Sequence, residues 1–191
     1  MKNKSLISII FALLIVAVFP SCRNQTSYEK DSSKLSKAHK ITSIDPDELP
    51  DTTSSPVLDM VGVLSDDDLE IITSQIEELD SIEWAQIAVV IVDDLHGHNR
   101  LTYANAILRK WGVGHKDKND GIVILVKPKT ADSKGEAAIA TGLGMQDILS
   151  DHMCRRIVDE KMIPAFKDDE YGYGITHAIG LIAKILSNKA T

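Results

Sequence analysis

Hydrophobic positions change period several times along this chain, and each change marks an element. Residues 6–19 form an apolar run interrupted only by Ser8, after which apolar periodicity lapses until about residue 56. Beyond Ser65, the residues Leu69, Ile72, Ile76 and Leu79 recur every three or four positions, which predicts an amphipathic helix. Ser65 is its N-cap, and Asp66, Asp67 and Asp68 complement the positive end of the helix. Residues 87–92 are continuously apolar and β-branched, as in a strand covered on both faces. A second helix carries Ala104, Ile107, Leu108 and Trp111 on one side and stops at Gly112.

Further strands are expected at 122–126 and 137–141, joined by a hairpin-like connection over 128–135. Two helices close the chain, one over 151–163 ended by Pro164, the other over 175–186 with Ile175, Ile179, Ile182 and Leu186 inward. The order α-β-α-β-β-α-α implies one α/β domain, a three-layer α/β/α sandwich with a short mixed central sheet.

The start of the chain has a different purpose. Lys2 and Lys4 precede the first apolar run, which is shorter than the ~20 residues a bilayer crossing needs, so residues 1–21 read as a signal peptide. The run ends at Phe19-Pro20-Ser21-Cys22, and a small residue followed directly by cysteine resembles the site where bacterial lipoproteins are cut and acylated. Cys22 is thus the expected lipid carrier, with palmitate among the expected groups. The chain would be held to a membrane of the bacterial envelope, its domain in the periplasm or outside the cell. Residues 22–55, rich in Ser, Thr, Asp and Lys, read as a flexible tether before a domain spanning 56–188.

Charge narrows the partners. Removing residues 1–21 takes away two lysines and no acids, leaving 19 basic residues against 28 acidic ones, about −9. Such a balance disfavours nucleic acid. Acylation of Cys22 would leave Cys154 as the one remaining cysteine, so stability must come from packing. Cys154 sits at helical spacing with Ile157 and Val158 and reads as a small buried hydrophobe.

In open α/β sheets, ligands gather beyond the carboxyl ends of strands. Loops there are expected to supply Asp59, Asp93 and Asp94, with Asn119-Asp120-Gly121 and the 141–147 segment contributing Asp120, Gln146 and Asp147. Such oxygen ligands suit Ca²⁺ or Mg²⁺. The same aspartates also serve as caps and turn formers in many loops. Gly142-x-Gly144 lacks both nucleotide-binding fingerprints, which leaves either a tight strand-to-helix turn or backbone N–H contacts to a phosphate. His96, His98 and His115 lie on loops, where a mixed His/Asp metal site competes with plain solvated positions.

Taken in order, Val57-Leu58-Asp59, Val63-Leu64-Ser65, Trp111-Gly112-Val113-Gly114, Asn119-Asp120-Gly121-Ile122 and Thr141-Gly142-Leu143-Gly144-Met145-Gln146 resemble the TPM domain family over about residues 56–186. The resemblance implies an exported or membrane-tethered α/β/α domain. The family also occurs in the thylakoid lumen, where members are linked to photosystem II repair. Acid phosphatase activity and divalent-cation binding, mainly calcium, have been attributed to some members. Position by position, it implicates Asp59, Asp120 and Gln146. The family usually has glutamate at the last, so this chain loses a charge there, with Asp147 as a neighbouring carboxylate.

Two functions follow as expectations. One is an accessory module that binds a divalent cation and acts in assembly or turnover of membrane complexes, meeting a membrane-protein partner. The other is a cation-dependent acid phosphatase-like hydrolase. There Asp120 would be nucleophile or water activator, Asp59 with Asp93 or Asp94 would hold metal, and Gly142 and Gly144 would contact phosphate. Gln146, and the lack of an evident nucleophile-base pair, favour the first.

Overall fold

The structure, a computed structural model, describes residues 44–188; the expected signal peptide, the expected lipidation site Cys22 and the first part of the expected tether lie outside the described residues. Strands β1 (Val57–Asp59), β2 (Gln86–Ile91), β3 (Gly121–Lys127) and β4 (Glu136–Thr141) form one sheet in that spatial order. The first three are parallel, and β4 returns antiparallel to β3. The mixed sheet between helical layers is the architecture the periodicity predicts. β1 is the strand that pattern reading passes over, because three residues are too few to show a period.

The unbroken apolar run of β2 divides between two cores, as alternation across a pleat requires. Ile87, Val89 and Ile91 face α1 (Asp66–Ser81) and α5 (Tyr171–Ser187), while Ala88, Val90 and Val92 face α2 (Arg100–Trp111). The α1 N-terminus is a full capping box, with the Ser65 hydroxyl accepting from the Asp68 N–H and the Asp68 carboxylate accepting from the Ser65 N–H. This settles the aspartate triplet as helix-starting chemistry.

Pro164 does not end the penultimate helix as expected. α3 (Asp151–Ile157) runs into a π-helical turn (Val158–Met162) and on into α4 (Ile163–Lys167). There Pro164 stands in a first-turn position, where a missing N–H is tolerated. α5 likewise begins at Tyr171, four residues before its expected start, because Gly172 and Gly174 mask the first turn from propensity.

Topology adds what no pattern foretold. The crossovers β1-α1-β2 and β2-α2-β3 step the same way across the sheet, yet α1 and α2 lie on opposite faces. The two crossovers therefore have opposite hands, and one is left-handed against a strong general preference.

The tether reading to residue 55 is also corrected, because residues 46–51 are strapped along α2. The Tyr103 hydroxyl donates to the Glu48 carbonyl (2.6 Å), Lys110 Nζ to those of Pro46 (3.0 Å) and Leu49 (2.9 Å), and Trp111 Nε1 to that of Pro50 (2.9 Å). Leu49 is buried in the α2 core. Burial pushes the Tyr103 phenol up to about 12, with Asp93 and Asp94 adding to it.

Candidate functional site

Sheet polarity sorts the candidate residues before any side chain is considered. Strands β1 to β3 end at one edge, here the upper, which receives Asp59, Asp93 and Asp94. β3 starts and β4 finishes at the lower edge, which receives Asp120, Gly142, Gly144, Gln146 and Asp147. A strand of seven residues such as β3 spans about 20 Å. One cation cannot bridge that length, so the six proposed ligands do not form one site.

At the upper edge, Asp59 works on its own backbone. Its Oδ1 accepts from the N–H groups of Val61 (3.0 Å) and Gly62 (2.8 Å), and its Oδ2 from that of Leu64 (2.9 Å). Both oxygens are committed to shaping the 60–64 loop. Asp94 Oδ1 accepts from Leu95 (2.7 Å) and His96 (3.1 Å), and Asp93 is exposed. The Asp59 and Asp94 contacts are turn-forming roles.

The lower edge is built differently. Asp120, only 4% exposed, immediately precedes β3 and accepts the His115 backbone N–H at 2.8 Å. The His115 ring approaches the same carboxylate with Nδ1 at 3.1 and 3.0 Å from its two oxygens. On the ring's far side, Nε2 lies 3.5 Å from Asp80 Oδ1, at the end of α1. An imidazole thus sits between two carboxylates. The Asp120 hydrogen bond, with Coulombic help from Asp80, raises the His115 pKa above its usual range against partial burial and the nearby Lys118.

The glycines explain why the chain can close here. A side chain at Gly121 would collide with the Val113 carbonyl, and one at Gly144 with the Lys118 carbonyl. Three backbone segments therefore approach more closely than any Cβ allows. The Gly142 N–H donates to the Gly121 carbonyl (2.8 Å) and that of Gly144 to the Asn119 carbonyl (3.0 Å). The amides expected to contact a phosphate are thus already used within the main chain. Beyond them Gln146 and Asp147 are exposed, while Met145 is buried.

Chemically, the lower edge can hold a proton and orient an imidazole. Among the described residues no Ser, Thr or Cys side chain hydrogen-bonds to His115 or Asp120, and no cluster of three His, Cys, Asp or Glu residues could hold a metal ion. His98 Nε2 instead meets Glu48 Oε2 at 2.8 Å, which ties it to the strap. Cys154 is buried as expected, its thiol pushed up to about 12 by burial.

Sequence reasoning selected Asp120 and set His115 among solvated loop residues; it did not select Asp80. One signal marked Asp80: an acid in the last turn of a helix opposes the helix dipole, so another contact is needed to favour it.

A four-stranded mixed sheet between helical layers, its lower edge closed by glycines and an Asp-His pair, defines a small α/β/α domain. The sequence profile of the TPM domain matches residues 57–185. The chain belongs to the TPM domain family. No curated protein matches it.

Among solved structures, the chain is similar to the N-terminal domain of a P. gingivalis protein, at 24% identity and a TM-score of 0.62, covering 70% of this chain and 83% of that one. It is also similar to the N-terminal domain of the cg2496 protein of Corynebacterium glutamicum, at 15% identity and 0.54, covering 74% and 84%. The BA42 protein of Bizionia argentinensis matches at 17% and 0.52, covering 68% and 85%. These likenesses are of fold.

Proposed function

We propose that this chain is an envelope-tethered TPM-domain module that acts by binding partners in the assembly or turnover of membrane complexes. One observation carries the reading: the groups a phosphate-ester hydrolase would need are occupied by the fold. Asp59 holds its own loop, the Gly142 and Gly144 amides hold neighbouring carbonyls, and Asp120 holds His115. A divalent cation would have to displace His115 to reach Asp120, so Asp120 as placed does not fit Ca²⁺ or Mg²⁺. The tethering part rests on the Cys22 sequence context.

A second reading has its own support, because a carboxylate-held imidazole with a raised pKa is the form a general acid takes. The test is a chromogenic phosphate ester offered to the mature domain from pH 5 to 8, with chelator or with Ca²⁺ or Mg²⁺. The binding reading expects no turnover above that of Asp120→Ala under any condition. Turnover lost in a folded Asp120→Ala variant would replace it with the hydrolase. Cys22→Ser is expected to release the protein from the membrane fraction, and retention there would remove the lipid tether.

A further inference from the structure

A groove of about 320 Å³ opens at the lower edge between the end of α1, the start of β2 and the 52–56 segment. It is distinct from the Asp120 contacts, although Asp80 borders both. Its floor is apolar, from Ile76, Ile87 and Val113, and Trp111 forms a wall, its ring fixed by the Nε1 bond to Pro50. On this apolar ground stand Glu77 and Asp80, and none of the residues lining the groove is basic. Asp80 Oδ1 is buried, accepts no hydrogen bond and lies 3.5 Å from His115 Nε2, while the side chain as a whole is 42% exposed and open to the groove. Gln86 completes the set. Its Oε1 accepts from Gly114 (2.7 Å), which turns the side-chain NH₂ donors to other partners.

We propose that this groove receives a lysine or arginine side chain from an extended segment of a partner protein. The inference rests on the binding-module reading and names the partner's chemistry. An aliphatic stem suits the apolar floor, a cation suits the paired carboxylates, and an indole wall adds attraction for a cation lying over it. The Gln86 NH₂ and the exposed Thr52 and Ser54 rim are placed to meet the backbone of the incoming segment. The domain's acidic balance favours the approach of a basic partner.

The test uses the mature chain with Cys22→Ser, labelled with ¹⁵N, and a terminally blocked Ala-Ala-Lys-Ala-Ala peptide as the probe. The expected result is saturable millimolar binding, with shifts centred on the Gln86 side-chain amide and the Trp111 Nε1–H. Glu77→Gln is expected to weaken binding by about threefold, as for an exposed ion pair. Adding Asp80→Asn should weaken it further, and high salt should do the same to the unaltered chain. Glu77→Gln leaves His115 untouched, so it decides the matter should Asp80→Asn lower the melting temperature.

Absence of saturation, shifts elsewhere, or equal binding of the acetyl-lysine peptide would each overturn the proposal. Spermidine binding as tightly as the peptide would overturn it too, by making the groove a site for soluble amines. A domain that turns over no ester and ignores the peptide keeps the binding-module reading and loses only this groove.

Discussion

The two edges of the sheet use the same residue types for opposite ends. At the upper edge, where open α/β sheets usually place their ligands, aspartates shape surface loops one at a time, as Asp59 does with three amides. At the lower edge, Asp120 is buried and holds His115 by backbone and ring, and that ring reaches on to Asp80 at the end of α1. The motif residues concentrate where the chain must close tightly. A motif rich in Gly, Asp and Asn thus records a packing requirement as readily as a chemistry.

Gly121→Ala breaks this contrast most severely. The new methyl would strike the Val113 carbonyl, and a loss of about 3 kcal/mol or more is expected in chemical denaturation, as for overpacking without room to relax. Next comes Asp120→Ala, which leaves the half-buried His115 N–H without its acceptor and should lower stability by about 2 kcal/mol. Asp59→Ala should cost roughly 2 kcal/mol, with faster hydrogen exchange confined to the Val61, Gly62 and Leu64 amides. Exchange spreading into β2 would mean that the upper loop and the sheet are one cooperative unit.

The pH dependence sharpens the lower edge alone. The folded state raises the His115 pKa, so its stabilisation is fully present below pH ~6.5 and is lost as pH rises through the folded value. Melting temperature is expected to fall over that window in the native chain and to change less in His115→Gln. Equal profiles would show that the imidazole contributes nothing through its charge. The smallest effect belongs to Asp147→Ala. That residue is exposed, and a change within about 0.5 kcal/mol is expected, with the melting temperature the same in Ca²⁺ and in chelator.

Much of the fold was legible because it is written in periods. The 3.6-residue spacing from Leu69 to Leu79 and the apolar runs in β2 and β3 express which sides are buried, and burial dominates the energetics of these elements. The Ser65 cap was legible because capping is local. Three features escaped for lack of a local signal. β1 is too short to alternate, Pro164 is accommodated by a π turn, and the strap over 46–51 is held by Tyr103, Lys110 and Trp111 from more than fifty residues away.

The site divides along the same line. Sequence by itself marked Asp120, Gly142 and Gly144, because their residue types carry definite local possibilities, and it established the α/β class and the helical and strand faces. Which edge each candidate occupies was decided by strand direction, and a carboxylate's partners depend on distances that only folding sets. The splitting of Asp59 from Asp120, the capture of His115 between Asp80 and Asp120, and the opposite-handed crossovers all belong to the tertiary structure. Each depends on how distant segments pack, and a chain read residue by residue carries no record of the distances between them.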